Sequence, residues 1–346
     1  MNKDFAVKLL EWNRDFNSRT MPWKGEKDPY RIWLSEIILQ QTRVEQGLEY
    51  YKKFIHKYPT VTKLAFAPID DVLKLWEGLG YYSRCRNLHH TACYIAFELD
   101  GKFPSTYNEL IKLKGVGAYT AAAISSFAFN EPMAVVDGNV QRVLSRYFGI
   151  TTPIDSTNGK KLYADLAQSL IDVDQPASYN QAIMDFGATI CKPQQPLCDS
   201  CPFIDDCQAY AHNLVRSLPV KEKKLIRKIR YFNYFIIDTP SGIMVRKRES
   251  KDIWNGLNEF FLVESEAPLK DPAATISTTL STGIKTVHQI SSYRQLLTHQ
   301  EIKGTFYMVN LQEVPQKDGY NFISREQISR IAFPRIINQF LSEHPF

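Results

Sequence analysis

The chain of 346 residues is longer than one hydrophobic core usually organises, so two domains are expected. Its net charge of +5 is compatible with a polyanionic partner, and the absence of any uninterrupted run of about 18 apolar residues argues against a membrane-spanning helix. Six cysteines in such a chain do not make a disulfide scaffold; four crowd into one segment while Cys85 and Cys93 stand apart, which points to metal ligation in a reducing compartment.

From the amino terminus, MNKDFAVKLLEWNRDF interrupts each apolar stretch with charge, as expected of a soluble, unexported, cytoplasmic protein. LSEIILQQTRV, DDVLKLWEGL, CRNLHHTACYIAFEL and YTAAAISSFAF then repeat apolar residues at helical spacing, punctuated by Gly and Pro. Before the last of these, Gly115 and Gly117 predict a tight turn between a helix ending near Lys112 and another starting about Ala118. Amides at such a turn can hold a phosphate without reading base identity, although an ordinary helix-turn-helix corner shares the pattern. AVVDGNVQRV follows, and then helical YNQAIMDFGATI leads into Cys191, Cys198, Cys201 and Cys207, spaced C-x6-C-x2-C-x5-C. Four thiolates from one loop suit either zinc or a 4Fe-4S cubane.

Residues 214–227 are basic, with one proline and no sustained apolar face; they read as an interdomain linker or, equally, as a solvated helix. Beyond them YFNYFIID, GIMVRKR, EFFLVE and TFYMVNL have the composition of short strands, and ISREQISRIAFPRIINQFL looks helical. The expected architecture is a helical domain over 1–213 and a smaller mixed domain over 228–346.

Two acids carry the candidate chemistry: Glu36 in WLSEIILQQTRV and Asp137 in AVVDGNVQRV. Both segments are apolar enough to be buried, where an unpaired carboxylate is costly and tends to mark function. Such a pair can supply a proton to a leaving group and negative charge beside a developing cation. A buried glutamic acid suits the first task, and a carboxylate kept ionised suits the second.

The cysteine spacing, the G-x-G turn and both acid motifs resemble the endonuclease III and MutY glycosylases. That resemblance implies a multidomain chain: an all-α helix-hairpin-helix glycosylase domain with an iron-sulfur loop, plus an α+β Nudix-like carboxy-terminal domain. It implies one 4Fe-4S cluster held by the four cysteines, ordering the loop and presenting Lys192 to phosphate. Glu36 matches the family acid that protonates adenine N7, and Asp137 the aspartate that stabilises the sugar cation. Tyr119 and Asn139 match positions supporting Asp137 and the transition state. Arg19, Trp23, Leu39 and Gln181 match the adenine pocket. In the endonuclease III branch the place of Tyr119 is a lysine that attacks the sugar, so water is the expected acceptor here and an abasic site the product.

A base inside a duplex must be flipped out before buried carboxylates reach it. The resemblance places Gln41 and Tyr81 as residues that fill the gap, and Gln40 and Tyr82 stand beside them. In the second domain, KDIWNGLNEFFLVE resembles the tryptophan-glycine loop of the MutY Nudix-like domain, but no catalytic Nudix box is found, so lesion recognition is the expected role. The family's Phe-Ser-His loop corresponds to Leu297, Thr298 and His299, with leucine in place of the aromatic ring. The implied partner is double-stranded DNA with adenine opposite 8-oxoguanine or guanine, bound by a monomer of bacterial, nucleoid-associated type. The rivals are a bifunctional endonuclease III-like enzyme and an iron-sulfur electron carrier that binds DNA.

Overall fold

The computed structural model describes residues 2–222, 226–249 and 251–346; residues 223–225, inside the expected linker, lie outside the described residues. The chain forms two compact units, Met1–Ala65 with His90–Lys223, and Phe66–His89 with Lys224–Phe346. In chain order the helices are α1 (Asn2–Asp15), α2 (Pro29–Leu39), α3 (Val44–Lys57), α4 (Val61–Ala65), α5 (Ile69–Trp76), α6 (Tyr82–Glu98), α7 (Tyr107–Leu110), α8 (Ala118–Phe129), α9 (Gly138–Phe148), α10 (Thr157–Leu170), α11 (Pro176–Thr189) and α12 (Gln208–Ala211). α5 and the start of α6 belong to the second unit.

In the first unit α2 is the buried centre. Asp28 caps it by accepting the Tyr30 N–H at 2.9 Å, Pro29 occupies its first turn, and every residue from Ile32 to Ile38 is buried. It packs against α8, whose Ala121, Ala122 and Ala123 keep the helices close. The expected helix over LSEIILQQTRV stops at Leu39, because Gln41 takes φ +57° and turns the chain into α3. A second core joins α1, α9 and α11 through Phe5, Trp12 and Phe186. Phe203, from the cysteine loop, stacks on Phe5 at 4.8 Å and meets Phe186 edge-on at 5.2 Å. An aromatic plug therefore holds the loop, which does not depend on its cysteines alone for order.

Among the described residues, the second unit is built on six strands, β1 (Lys228–Thr239), β2 (Gly242–Lys247), β3 (Asn258–Ser265), β4 (Ile284–Leu296), β5 (Gln300–Leu311) and β6 (Asn321–Ile323), in the order β4-β5-β1-β3-β2-β6. β1 runs parallel to β5, and the other neighbours are antiparallel. Phe232 to Ile237 are buried without alternation, as a strand covered on both faces requires. Besides α5 and the start of α6, the helices described in this unit are α13 (Pro272–Leu280), α14 (Arg325–Ile328) and α15 (Arg335–Glu343). Pro334 sits immediately before α15, so the single helix expected at the end of the chain is two. Residues 66–89 are tied into this unit: Lys74 Nζ donates to the Ile331 carbonyl at 2.9 Å, and Glu77 accepts the Phe333 N–H at 2.8 Å.

Candidate active site

Between α2, α8, α9 and α11 lies a cavity of about 620 Å³. Glu36, Tyr119, Asp137 and Asn139 all line it, and so do Arg19, Trp23, Leu39 and Gln181. The two glutamines, Gln40 and Gln41, stand at its mouth, where Gln40 donates to the Thr120 hydroxyl at 3.3 Å.

Glu36 is 8% exposed, within the buried stretch Ile32 to Ile38 of α2. Burial pushes its carboxyl up to about 7; the Asp137 charge pushes the same way, and a hydrogen bond with Tyr119 opposes both. The Tyr119 hydroxyl also reaches Met184 Sδ at 3.6 Å, and its own pKa is driven well above the usual tyrosine value by burial, then by the two carboxylates.

Asp137 is the N-cap of α9. One of its oxygens accepts the Val140 N–H at 2.8 Å and the other accepts Asn139 Nδ2 at 2.7 Å. Burial raises its pKa, while these bonds and the Arg142 guanidinium pull against the rise. The positive end of a helix favours the ionised form of a capping carboxylate. Asn139 is supported from behind: Arg142 Nη2 donates to its Oδ1 at 2.8 Å, and Arg142 Nε donates to the Cys191 carbonyl at 2.8 Å. Gly187 allows α11 to come this close, since a Cβ there would lie 2.7 Å from the Asn139 Cβ.

Two lysines line the cavity as well, and both are engaged. Lys24 Nζ lies 3.1 Å from Asp185, and Lys27 Nζ donates to the Phe127 carbonyl at 2.9 Å.

The glycine turn has the expected form. Gly115 takes φ +80°, a conformation costly for other residues, and Gly117 caps α8 without a side-chain acceptor, leaving the first amides of α8 to other partners.

The four cysteines follow α11 on one loop. Cys191 Sγ lies 3.4 Å from Arg146 Nη1, and Cys207 Sγ lies 3.5 Å from the Arg146 carbonyl. Burial raises the thiol pKa of Cys198, of Cys201 (up to about 12) and of Cys207, and the neighbouring cysteines raise them further. Among the described residues, no three His, Cys, Asp or Glu side chains close into metal-ligating geometry.

In the second unit Tyr81 is 46% exposed with φ +48°, and its hydroxyl shares a 2.5 Å hydrogen bond with the Thr298 hydroxyl. Leu297, Thr298 and His299 form the turn joining β4 to β5, with His299 exposed. Tyr82 departs from the expectation: it is 5% exposed and its hydroxyl accepts the Gly78 N–H, so of the two tyrosines only Tyr81 presents its ring. Left-handed backbone at a non-glycine residue costs roughly 1 kcal/mol or more, and it occurs at both Gln41 and Tyr81. Residues absent from the sequence reading are Asp185, Arg142, Gly187 and Arg84, the last lying 5.5 Å over the Tyr81 ring.

A family model described as HhH-GPD superfamily base excision DNA repair protein matches residues 34–168, and a NUDIX domain model matches residues 233–343. The chain is 36% identical over 297 residues to an adenine DNA glycosylase of Buchnera aphidicola (subsp. Baizongia pistaciae), spanning 85% of this chain and 83% of that protein. It is 43% identical over 214 residues to an adenine DNA glycosylase of Homo sapiens, spanning 59% of this chain and 39% of the human protein. Among solved structures, a thermostable thymine-DNA glycosylase is 30% identical with a TM-score of 0.57, covering 61% of this chain and 97% of that one. A non-covalent endonuclease III–DNA complex shares the fold at 22% identity, with a TM-score of 0.53 and coverage of 62% and 98%.

Proposed function

The chain belongs to the adenine DNA glycosylase family, and from that premise we propose that it excises adenine mispaired with 8-oxoguanine or guanine by base flipping and acid-catalysed hydrolysis, leaving an abasic site. One observation carries the proposal: an acid held near neutrality, Glu36, shares a cavity with a helix-capping carboxylate, Asp137, and the residue beside both is Tyr119 rather than a lysine.

In this reading Glu36 gives its proton to the departing adenine, turning a poor leaving group into a neutral base. Asp137 faces the electron-poor sugar and stabilises its positive charge, while Asn139 fixes the carboxylate. Arg19 and Gln181 read the base edge, and Trp23 and Leu39 bound its apolar outline. Gln41 and Tyr81 fill the space the flipped nucleotide leaves. Water completes the reaction. The amides at Gly115 to Ala118 hold backbone phosphate, and the net charge of +5 suits a monomer working on DNA, nucleoid-associated in a bacterial cytoplasm. In sequence, residues 214–227 join the glycosylase part, 1–213, to the lesion-reading part, 228–346, while residues 66–89 fold with the latter.

The test of monofunctional chemistry is incubation with a duplex carrying adenine opposite 8-oxoguanine. Borohydride is expected to trap no covalent complex, and strands are expected to break only after alkali. Efficient trapping would mean that a lysine attacks the sugar, with Lys24 the first to replace.

The donor set of the cysteine loop fits a 4Fe-4S cluster: one loop carries four thiols, three of them, Cys198, Cys201 and Cys207, raised in part by their cysteine neighbours, and Arg146 brings positive charge against Cys191, which offsets part of the charge such a site gathers. Cys191, Cys198, Cys201 and Cys207 would hold it. When bound, the cluster supplies a cross-link of four thiolates, and the hydrolysis needs no electron from it. Purified protein is expected to be yellow-brown with about four irons per chain and no stoichiometric zinc. Zinc alone in elemental analysis would overturn this.

Thr298 and His299 are proposed to read the oxidised guanine, since they sit on a hairpin turn that touches Tyr81. Replacing both by alanine is expected to lower the preference for 8-oxoguanine over guanine by roughly 5- to 150-fold, the worth of two hydrogen bonds. An unchanged preference would move discrimination to Gln41 and Tyr81.

A further inference from the structure

Asp185 on α11 is a fully buried carboxylate that lies behind the cavity wall. One oxygen accepts Arg19 Nη1 at 2.7 Å; the other accepts Asn17 Nδ2 at 2.9 Å and Lys24 Nζ at 3.1 Å. Its side chain has no exposure, whereas Arg19 and Lys24 keep 26% and 29%. All three donors come from residues 17–24, which join α1 to α2 with turns and no helix or strand. That segment supplies Arg19, Trp23 and Lys24 to the cavity.

Arg19 is gripped at three points. Its N–H donates to Asn17 Oδ1 at 3.1 Å, its carbonyl accepts Lys24 Nζ at 3.1 Å, and its guanidinium is bound to Asp185. Both Asn17 and Lys24 are themselves bound to Asp185, so every grip leads back to this carboxylate. A guanidinium is a rigid planar fork; fixing one terminal nitrogen constrains the direction of its other N–H groups. The ring nitrogens of adenine are acceptors, and donors fixed in advance bind them without paying the ordering entropy at the moment of binding.

We propose that Asp185 is the positioning residue of the adenine pocket: it holds residues 17–24 as a wall and points Arg19 at the flipped base. The inference rests on the reading of Arg19 as a base contact. Asp185 then sets how tightly the base is held and leaves the bond-breaking step to Glu36 and Asp137. Breaking a buried ion pair from one side is costly, and Asp185→Asn leaves two cations without their counter-charge.

The experiment is single-turnover kinetics of Asp185→Asn, Arg19→Met and the double variant, on a duplex with adenine opposite 8-oxoguanine, with circular dichroism checking the fold. Asp185→Asn is expected to raise the half-saturating enzyme concentration roughly 10- to 100-fold, the worth of a hydrogen bond to a charged group, while the plateau rate stays within about threefold. The double variant is expected to fall well short of the sum of the two single effects, because the carboxylate acts largely through the arginine. A folded Asp185→Asn protein within twofold of wild type in half-saturation would overturn the proposal, and so would full additivity with Arg19→Met. Should Arg19→Met itself have no effect, the reading of Arg19 as a base contact fails. Asn17→Ala, at a partly exposed position, covers the case in which Asp185→Asn does not fold. It is expected to raise half-saturation severalfold at constant plateau, and no change would likewise count against Asp185.

Discussion

Replacing Glu36 by glutamine is expected to lower the single-turnover rate of adenine release by about 10²- to 10⁴-fold, the usual contribution of a general acid, while DNA affinity stays within a few-fold. The glutamine keeps the shape of the side chain and its hydrogen-bonding reach towards Tyr119, so the packing of α2 is conserved and only the transferable proton is lost. Burial, aided by the Asp137 charge, holds the wild-type carboxyl at about 7. The protonated form is the working form. Activity should therefore be full below that value and fall as pH rises through it, and the variant should lack this limb. A variant within twofold of wild type, or one that retains the limb, would show that another group protonates the base.

Asp137→Asn is expected to be at least as damaging, about 10²- to 10³-fold or more, because it removes a preorganised charge beside the developing cation. Asparagine is as good an N-cap as aspartate, and its Oδ1 can still accept the Val140 N–H, so α9 should begin where it does now. The loss then reports charge rather than unfolding. One local cost remains: the Asn139 amide that donates to Asp137 Oδ2 would meet a second amide and must turn. Single-turnover rates and thermal unfolding measured together separate the two effects, and a normal rate with a normal melting temperature would remove Asp137 from the chemistry.

Both acids stood out in the sequence for a physical reason, that a charge inside an apolar segment is expensive and therefore informative, and the structure places both on one cavity. The same signal was present in YNQAIMDFGATI, where Asp185 turns out to be fully buried and paired, and in VQRVLSRYF, where Arg142 and Arg146 are buried at 8% and 4% exposure. Those residues act through partners distant in sequence, Arg19 and the loop after Ile190, which no local pattern displays. Tyr82 failed for the opposite reason. Two adjacent tyrosines look alike in a motif, but the left-handed turn at Tyr81 sends one ring outward and leaves the other in the core.

In the second unit the strands read from sequence were those with dense apolar runs. β4 was invisible because it is an edge strand with Lys, Thr, His, Gln, Ser and Arg along an exposed length, so neither burial nor alternation marks it. That strand leads into the turn carrying Thr298. The cysteine loop was legible as a metal candidate from spacing alone, whereas its anchorage through Phe203 depends on a core assembled from α1, α9 and α11.

The most direct measurement is a single-turnover comparison of the full chain on four otherwise identical duplexes, with adenine opposite 8-oxoguanine, guanine, cytosine or thymine, each reaction divided between alkali and neutral quench. The expected result is adenine release opposite 8-oxoguanine and guanine, fastest opposite 8-oxoguanine, with strand breaks only in the alkali portions. Equal rates opposite all four bases, breaks in the neutral portions, or no release of adenine would contradict it.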